Sequence, residues 1–356
     1  MHIAIVGSQL SIHTIRWANS LHAKGHSISL FSMHERNEKL LEGINLIKMP
    51  YKNPYGYILN ISFLRKKLRS LNPDVVHSFY AFGYSFLARM SGFTPHLVSV
   101  LGSDIYDDIN NPIYRKIIKK NITSADSVCS TSVIMKEKIK SVTGVEKGVN
   151  ITPFGVDLAK FKNNNSRKNS DYDFVIGTVK KLENKYGIDT LLKAFALFCE
   201  KYPAKKFKLY LIGSGTQFAE LKSEAKRLNI DDECDFVGRV SHNKVPVWLN
   251  KFDVFVALSR LDSESFGVSI IEASACELPV VVSDSGGLPE VVENGKTGIV
   301  VPKENPQKAF EAIDYLYQNQ AIAEKMGLKG RERVFERYDW NASLKQMEDV
   351  YIKMIR

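Results

Sequence analysis

The sequence predicts an α/β protein of two doubly wound parallel-sheet domains that face each other across a cleft. Three observations carry that expectation. Short apolar runs alternate with amphipathic stretches, the order of strand–helix–strand units. The alternation stops in a polar, Asn-rich stretch, KNNNSRKNSDYD at 162–173, and then begins again. Small, charged or Gly-rich residues follow most of the apolar runs, at the strand ends where open parallel sheets bind ligands.

In the first half, HIAIVGS (2–8) reads as a strand ending in small residues. HTIRWANSLHAKGH (13–26) has helical spacing and a glycine stop. SISLFS, DVVHSFY, LVSVLGS and SVCSTS are further β-rich runs, with YSFLARMSG among the intervening helices. In the second half the strand-like runs are DFVIGTV, KLYLIGSG, CDFVGR, DVFVALS, PVVVSD and GIVVP, and TLLKAFALFCEKY is helical. The expected division is residues 1–165, 166–338 and a last helix in 339–356. The strand-end rule selects Gly7 and Ser8, Gly102 to Asp104, Lys180 onward, Gly213 to Gly215, Gly238 and Arg239, Ser259 to Gly267, and Asp284 to Gly287.

Composition narrows the function classes. The chain has 356 residues, 44% apolar and 25% charged, as in a soluble globular protein. Cys129, Cys199, Cys234 and Cys276 form no CxxC pair and read as reduced thiols in the cytoplasm. No signal-peptide layout and no apolar run of roughly 18 to 20 residues is present, so the expectation is a soluble or peripheral protein. The net charge of +10 is uneven: residues 1–160 hold 20 Lys and Arg against 11 Asp and Glu, and the remainder 29 against 28. RKKLR (65–69) and YRKIIKK (114–120) are its densest clusters. Such a bias suits an anionic membrane surface or a pyrophosphate-linked acceptor, although any one cluster also fits a solvated helix face. No aromatic-interleaved basic motif points to nucleic acid. The first turn, GSQLSI, lacks the GxGxxG of dinucleotide-binding dehydrogenases.

One stretch carries most of the chemistry. ESFGVSIIEA (264–273) places Glu264 before a glycine and Glu272 within the following apolar helix. Buried carboxylates need partners. A helix start behind Gly267 favours a phosphate, while Glu272 is suited to accept from a vicinal diol and Glu264 from more distant hydroxyls. A capping carboxylate with a surface glutamate would look the same.

ESFGVSIIEASACELPVVVSDSGGLPEVVENGKTGIVVP resembles the donor site of retaining glycosyltransferases of family 4, which have the GT-B architecture of two Rossmann-like domains. The Glu-x7-Glu spacing, the PVV strand and the GG-PE-V segment match. ITPFGVDLAKF, GTVKKLENKYGIDTLLKAFA, YLIGSG, FVGRVSHNKVPVWL and the first helix agree as well. The resemblance implies that Glu272 binds the donor ribose and Glu264 the hydroxyls of the transferred sugar. It also implies that amides around Phe266, Gly267 and Val268 meet the diphosphate or sugar, that loops at Gly213 and at Arg239 and Val240 border the base, and that Gly7 and Ser8 approach the phosphates. Lys180 and Lys185 would neutralise the leaving diphosphate. No cofactor or metal is expected, since no DxD motif follows a strand and the lysines would supply the charge. The last helix, WNASLKQMEDVYIKMIR, would cross back to the first domain.

The chain departs from the family pattern in three places. Lys180 stands where an Arg is usual, with Lys181 a rival in register; Tyr186 separates Lys185 from Gly187; and Leu101 replaces the His of a His-Gly pair. Asp104 is then the catalytic candidate lining that region, with Gly102, Ser103 and His77 on the acceptor side. An N-cap role for Asp104 and a structural role for His77 are the plain alternatives. The expected activity is transfer of a sugar from a nucleoside diphosphate sugar, UDP before GDP, to a glycan or lipid-linked glycan in bacterial surface polysaccharide synthesis. The alternatives are a nucleotide-sugar epimerase, a pyridoxal-phosphate phosphorylase and a non-catalytic sugar-nucleotide binder.

Overall fold

The computed structural model describes residues 1–34, 39–145, 148–164 and 171–356. The chain forms two compact units, Met1–Pro153 with Ser343–Arg356, and Phe154–Ala342. The first holds strands β1 (His2–Val6), β2 (Ser27–Ser32), β3 (Asn45–Lys48), β4 (Val75–Phe79), β5 (His96–Ser99), β6 (Ser127–Ser130) and β7 (Val149–Ile151). The second holds β8 (Phe174–Val179), β9 (Phe207–Ile212), β10 (Cys234–Gly238), β11 (Val254–Ala257), β12 (Val280–Ser283) and β13 (Gly298–Val301).

Each unit is one parallel sheet. The strand orders are β3-β2-β1-β4-β5-β6-β7 and β10-β9-β8-β11-β12-β13. In register, Ile3 lies between Ile28 and Val75, and Ile176 between Leu209 and Val254. Helices on both faces bury the central strands, which explains why β1, β8 and β11 read as nearly continuous apolar runs and not as alternating ones. Ser11, Asn111, Ser132 and Asn305 cap their helices by accepting N–H groups of the first turn. The strand order reverses between β1 and β4 in the first unit and between β8 and β11 in the second. Crevices in doubly wound sheets form beyond the carboxyl ends of such pairs.

The chain passes between units at Pro153 to Phe154, upstream of the Asn-rich stretch. Residues 165–170 of that stretch, and with them the expected 165/166 boundary, lie outside the described residues. Residues before them already belong to the second unit. Phe154 rests edge-on against Phe266, Val156 pairs with Asp339, and Phe161 is fully buried. At the other end, Ser343–Arg356 joins the first unit through Tyr351, whose hydroxyl lies 2.6 Å from His77 Nδ1. Among the described residues no helix is long and apolar enough to cross a membrane.

Candidate active site

The loop after β8 starts with Lys180, and backbone packing holds it. The Lys180 N–H donates to the Ile212 carbonyl and that of Leu182 to the Ser214 carbonyl. The neighbouring loop comes so close that a Cβ on Gly213 would lie 1.8 Å from the Lys180 carbonyl oxygen, and the Gly213 φ is +150°. Glycine is required there on both counts. The Gly213 N–H donates in turn to Gly238, so the loops carrying Gly213 and the exposed Arg239 with its half-buried neighbour Val240 are joined.

Lys180 and Glu264 are 84 residues apart in sequence, yet Lys180 Nζ donates to Glu264 Oε1 at 2.8 Å. Both side chains are nearly buried, 8% and 11% exposed. Lys181 is exposed, so the geometry settles which lysine meets the glutamate. The Tyr186 ring lies 5.2 Å from Lys180 Nζ and 5.7 Å from Lys185 Nζ. Burial pushes the Tyr186 phenol up to about 12, reinforced by the charges of Glu264 and Glu183, so it stays neutral beside both ammonium groups. The tyrosine that interrupts the family pattern is thus the shared wall of the two lysines. Their loop is tied down where the Arg260 N–H donates to the Lys185 carbonyl.

Glu264 belongs to the long loop after β11. Its carbonyl accepts the Gly287 N–H, and Asp262 Oδ1 accepts that of Gly286, which fastens the loop after β12 beneath it. Gly267, with φ +86°, turns the chain into the helix Val268–Ala275. The Phe266 ring is buried against Phe154 and Tyr338, an anchor that leaves backbone at the helix start. Val268 is half-buried in the first turn. Glu272 lies one turn further, its side chain 6% exposed, and accepts a hydrogen bond from His242 Nε2 at 2.7 Å.

In the first unit, Gly7 is buried after β1, and its N–H donates to Phe31. The Ser8 hydroxyl accepts the Leu10 N–H and lies 3.3 Å from His34 Nδ1. Two expectations are corrected here. His77 does not line a ligand site. It sits mid-β4, wholly buried, with Nδ1 on Tyr351 and Nε2 on Ser99, and burial with the nearby His96 holds its imidazole down at about 3. Asp104 is equally buried and is neither an N-cap nor a lining residue. Its carboxylate accepts the N–H groups of Ala81, Leu101 and Gly102. It fixes the loops beyond β4 and β5, leaving Ser103, whose Oγ lies 3.2 Å from the Tyr80 hydroxyl, as the partly exposed member. Burial pushes the Asp104 carboxyl up to about 6 against the pull of those donors.

The geometry therefore unites Lys180, Lys185 and Glu264 around Tyr186, and joins the loops of Gly213 and Arg239. Sequence reasoning missed His242, Tyr186 as a wall, and Tyr80. Tyr80 holds a left-handed φ of +81° while its hydroxyl donates to Asp108. Only Tyr186 left a signal, as an interruption of the motif. Among the described residues no three of His, Cys, Asp and Glu are grouped to hold a metal ion.

Two doubly wound sheets, with a cation–carboxylate pair at the switch point of the second, define a GT-B protein. The chain matches the family model described as glycosyl transferases group 1 over residues 160–333, and that described as glycosyl transferase 4-like over residues 2–132. It belongs to the family 4 type of glycosyltransferases. It is 25% identical over 296 residues to an N-acetyl-alpha-D-glucosaminyl L-malate synthase of Bacillus anthracis, covering 80% of this chain and 76% of that one. A capsular polysaccharide biosynthesis glycosyltransferase of Staphylococcus aureus is 29% identical over 248 residues, 63% of this chain and 62% of that one. In fold, the chain superposes on the Anabaena protein HepE in complex with UDP-glucose with a TM-score of 0.84, at 17% identity and 99% and 100% coverage.

Proposed function

We propose that this glycosyltransferase moves a sugar from a UDP-sugar to a glycan or lipid-linked glycan acceptor in surface polysaccharide synthesis, with retention of anomeric configuration. The observation that carries the reading is the nearly buried Lys180–Glu264 pair at the switch point, with Glu272 on the next helix. Glu264 positions hydroxyls of the transferred sugar, Glu272 accepts from the ribose diol, and Lys180 with Lys185 neutralises the diphosphate as it leaves. Backbone groups at Phe266, Gly267 and Val268 meet the sugar or diphosphate, while the loops of Gly213, Arg239 and Val240 border the base.

The step is a displacement on one face. The bond from the anomeric carbon to the diphosphate oxygen breaks, the acceptor oxygen bonds to the same face of that carbon, and the acceptor proton passes to the departing phosphate. Fixed positive charge and a held sugar supply the catalysis, without a cofactor or catalytic metal. In support, the Anabaena structure of the same fold contains UDP-glucose and the S. aureus relative is named for capsule synthesis.

Thermal unfolding with UDP, GDP, ADP and NAD tests the donor. One nucleoside diphosphate at about 100 times its Kd should add roughly 2.7 kcal/mol of stability, and Glu272→Ala should abolish the gain. No stabilisation of the wild type by any of them would overturn the reading. Sugar conversion without release of free UDP would instead mark a nucleotide-sugar epimerase.

The acceptor side draws on charge. Lys66, Lys67, Arg69, Arg115, Lys116, Lys119 and Lys120 of the first unit are all exposed, which suits an anionic cytoplasmic membrane face presenting a lipid-linked acceptor. Flotation with vesicles containing anionic phospholipid should carry the protein at low salt and release it at high salt. Equal flotation with neutral vesicles would remove the electrostatic part.

A further inference from the structure

The buried carboxylate of Glu272 has a partner that the donor reading does not use. Its side chain is 6% exposed, so the carboxylate is cut off from water and needs a donor within the protein. The donor comes from another element. His242 opens a 3₁₀ turn, His242–Lys244, in the loop after β10, 30 residues from Glu272. A carboxylate only accepts, so the hydrogen of the 2.7 Å bond is on Nε2.

The turn is itself held in place. The His242 ring packs 5.4 Å from the ring of Phe161, which is 1% exposed, and Lys160 Nζ donates to Asn243 Oδ1. Adjacent residues 160 and 161 thus clamp adjacent residues 242 and 243. The His242 side chain remains 35% exposed on the same loop as Arg239 and Val240.

We propose that His242 is a positioning residue of the donor site: its Nε2–H fixes one oxygen of Glu272, so that the carboxylate presents its other oxygen to the ribose diol in a single orientation. This rests on the donor reading above, in which Glu272 meets the ribose. A diol bound by two hydrogen bonds needs an acceptor that does not rotate, and a carboxylate on a flexible glutamate stem rotates unless another group holds it. His242 acts on binding through Glu272 and takes no part in bond breaking, so its loss falls on donor affinity.

The test is calorimetric binding of UDP and GDP to the wild type, Glu272→Ala, His242→Ala, His242→Phe and His242→Gln. Turnover kinetics follow with the UDP- or GDP-sugar whose nucleotide binds. His242→Ala should weaken binding by roughly ten- to a hundredfold, the range for losing a hydrogen bond to a charged group, and raise the donor KM with kcat close to wild type. His242→Phe keeps the contact with Phe161 and should show the same loss, while His242→Gln, which restores an N–H, should recover most of the affinity. If His242→Ala does not fold, the Phe and Gln pair decides alone. Binding lost in Glu272→Ala but kept in His242→Phe would overturn the role of His242 and leave the donor reading intact. Binding kept in Glu272→Ala, or absent from the wild type, would overturn both.

Discussion

Replacing Lys180 with methionine is expected to lower kcat by roughly a hundred- to a thousandfold, the usual loss when one preorganised charge at a transition state is removed. Methionine keeps an apolar stem in the wall beside Tyr186 and deletes only the ammonium. Two effects then combine. The diphosphate loses a fixed cation where negative charge develops, and Glu264 keeps its buried carboxylate with no cation 2.8 Å away. Breaking a buried pair from one side costs about 3–5 kcal/mol, so the variant should also melt earlier. The double variant Lys180→Met with Glu264→Gln separates these effects. It removes the orphaned charge and should regain melting temperature, since residues in contact do not add, but it should regain no turnover. Lys180→Arg keeps the charge in a wider fork and should retain activity within about an order of magnitude. Steady-state kinetics with the donor found by nucleotide binding, beside melting curves, provide the check. A kcat for Lys180→Met within a few-fold of wild type would remove Lys180 from the reaction.

How much of this was legible in the sequence depended on burial. The four inner strands of the second sheet and the five inner strands of the first could be read because they are buried nearly throughout, and β10 and β13, the half-exposed edges of the second, because CDFVG and GIVV keep apolar residues together. β3 and β7 could not. They are the two edges of the seven-stranded sheet, and their residues NLIK and VNI are short and mostly half-exposed, without the apolar run that marked the others. That the chain passes between units upstream of the Asn-rich stretch was hidden for a related reason. A polar, Asn-rich stretch looks like a linker, but what assigns residues 154–164 to the second unit is the burial of Phe154, Val156 and Phe161, a tertiary fact.

The site divides along the same line. Lys180 and Glu264 were legible because both follow strands that flank an order reversal, and strand ends can be located without knowing the contacts. The bond between them could not be read. His242 left no trace, because a single histidine in a polar turn carries no periodicity or ligand spacing. His77 misled for the opposite reason. In a sheet buried on both faces a polar strand residue stands out in sequence, yet its neighbours satisfy it internally, here Tyr351 from the far end of the chain. Asp104 stood out correctly as unusual, but its work is to hold backbone.

Substituting that carboxylate should give the largest stability change in the first unit. Asp104→Ala leaves the buried N–H groups of Ala81 and Gly102 and the part-buried one of Leu101 without their acceptor, at about 1–3 kcal/mol for each buried donor before any relaxation. The loop it holds is already strained, since Tyr80, next to Ala81, keeps a left-handed φ that costs about 1–3 kcal/mol in a residue with a side chain. A loss of roughly 3–5 kcal/mol is expected, enough to threaten folding of a marginally stable unit. The pH dependence then tells whether burial or hydrogen bonding governs the group. Its folded carboxyl is pushed up to about 6 from an ordinary 3.8, burial outweighing the three donors. The folded state therefore holds this proton more firmly than the unfolded chain, and the stability it contributes is fully present below about pH 3.8 and lost as pH rises through about 6. This is the reverse of an ordinary ion-paired aspartate. Asp104→Asn does not titrate, so melting wild type and this variant side by side from pH 4 to 7 isolates the group. The wild type should lose stability relative to Asp104→Asn across that interval. A relative gain would mean that the three N–H donors prevail and that the carboxylate form is the one the loop was built around.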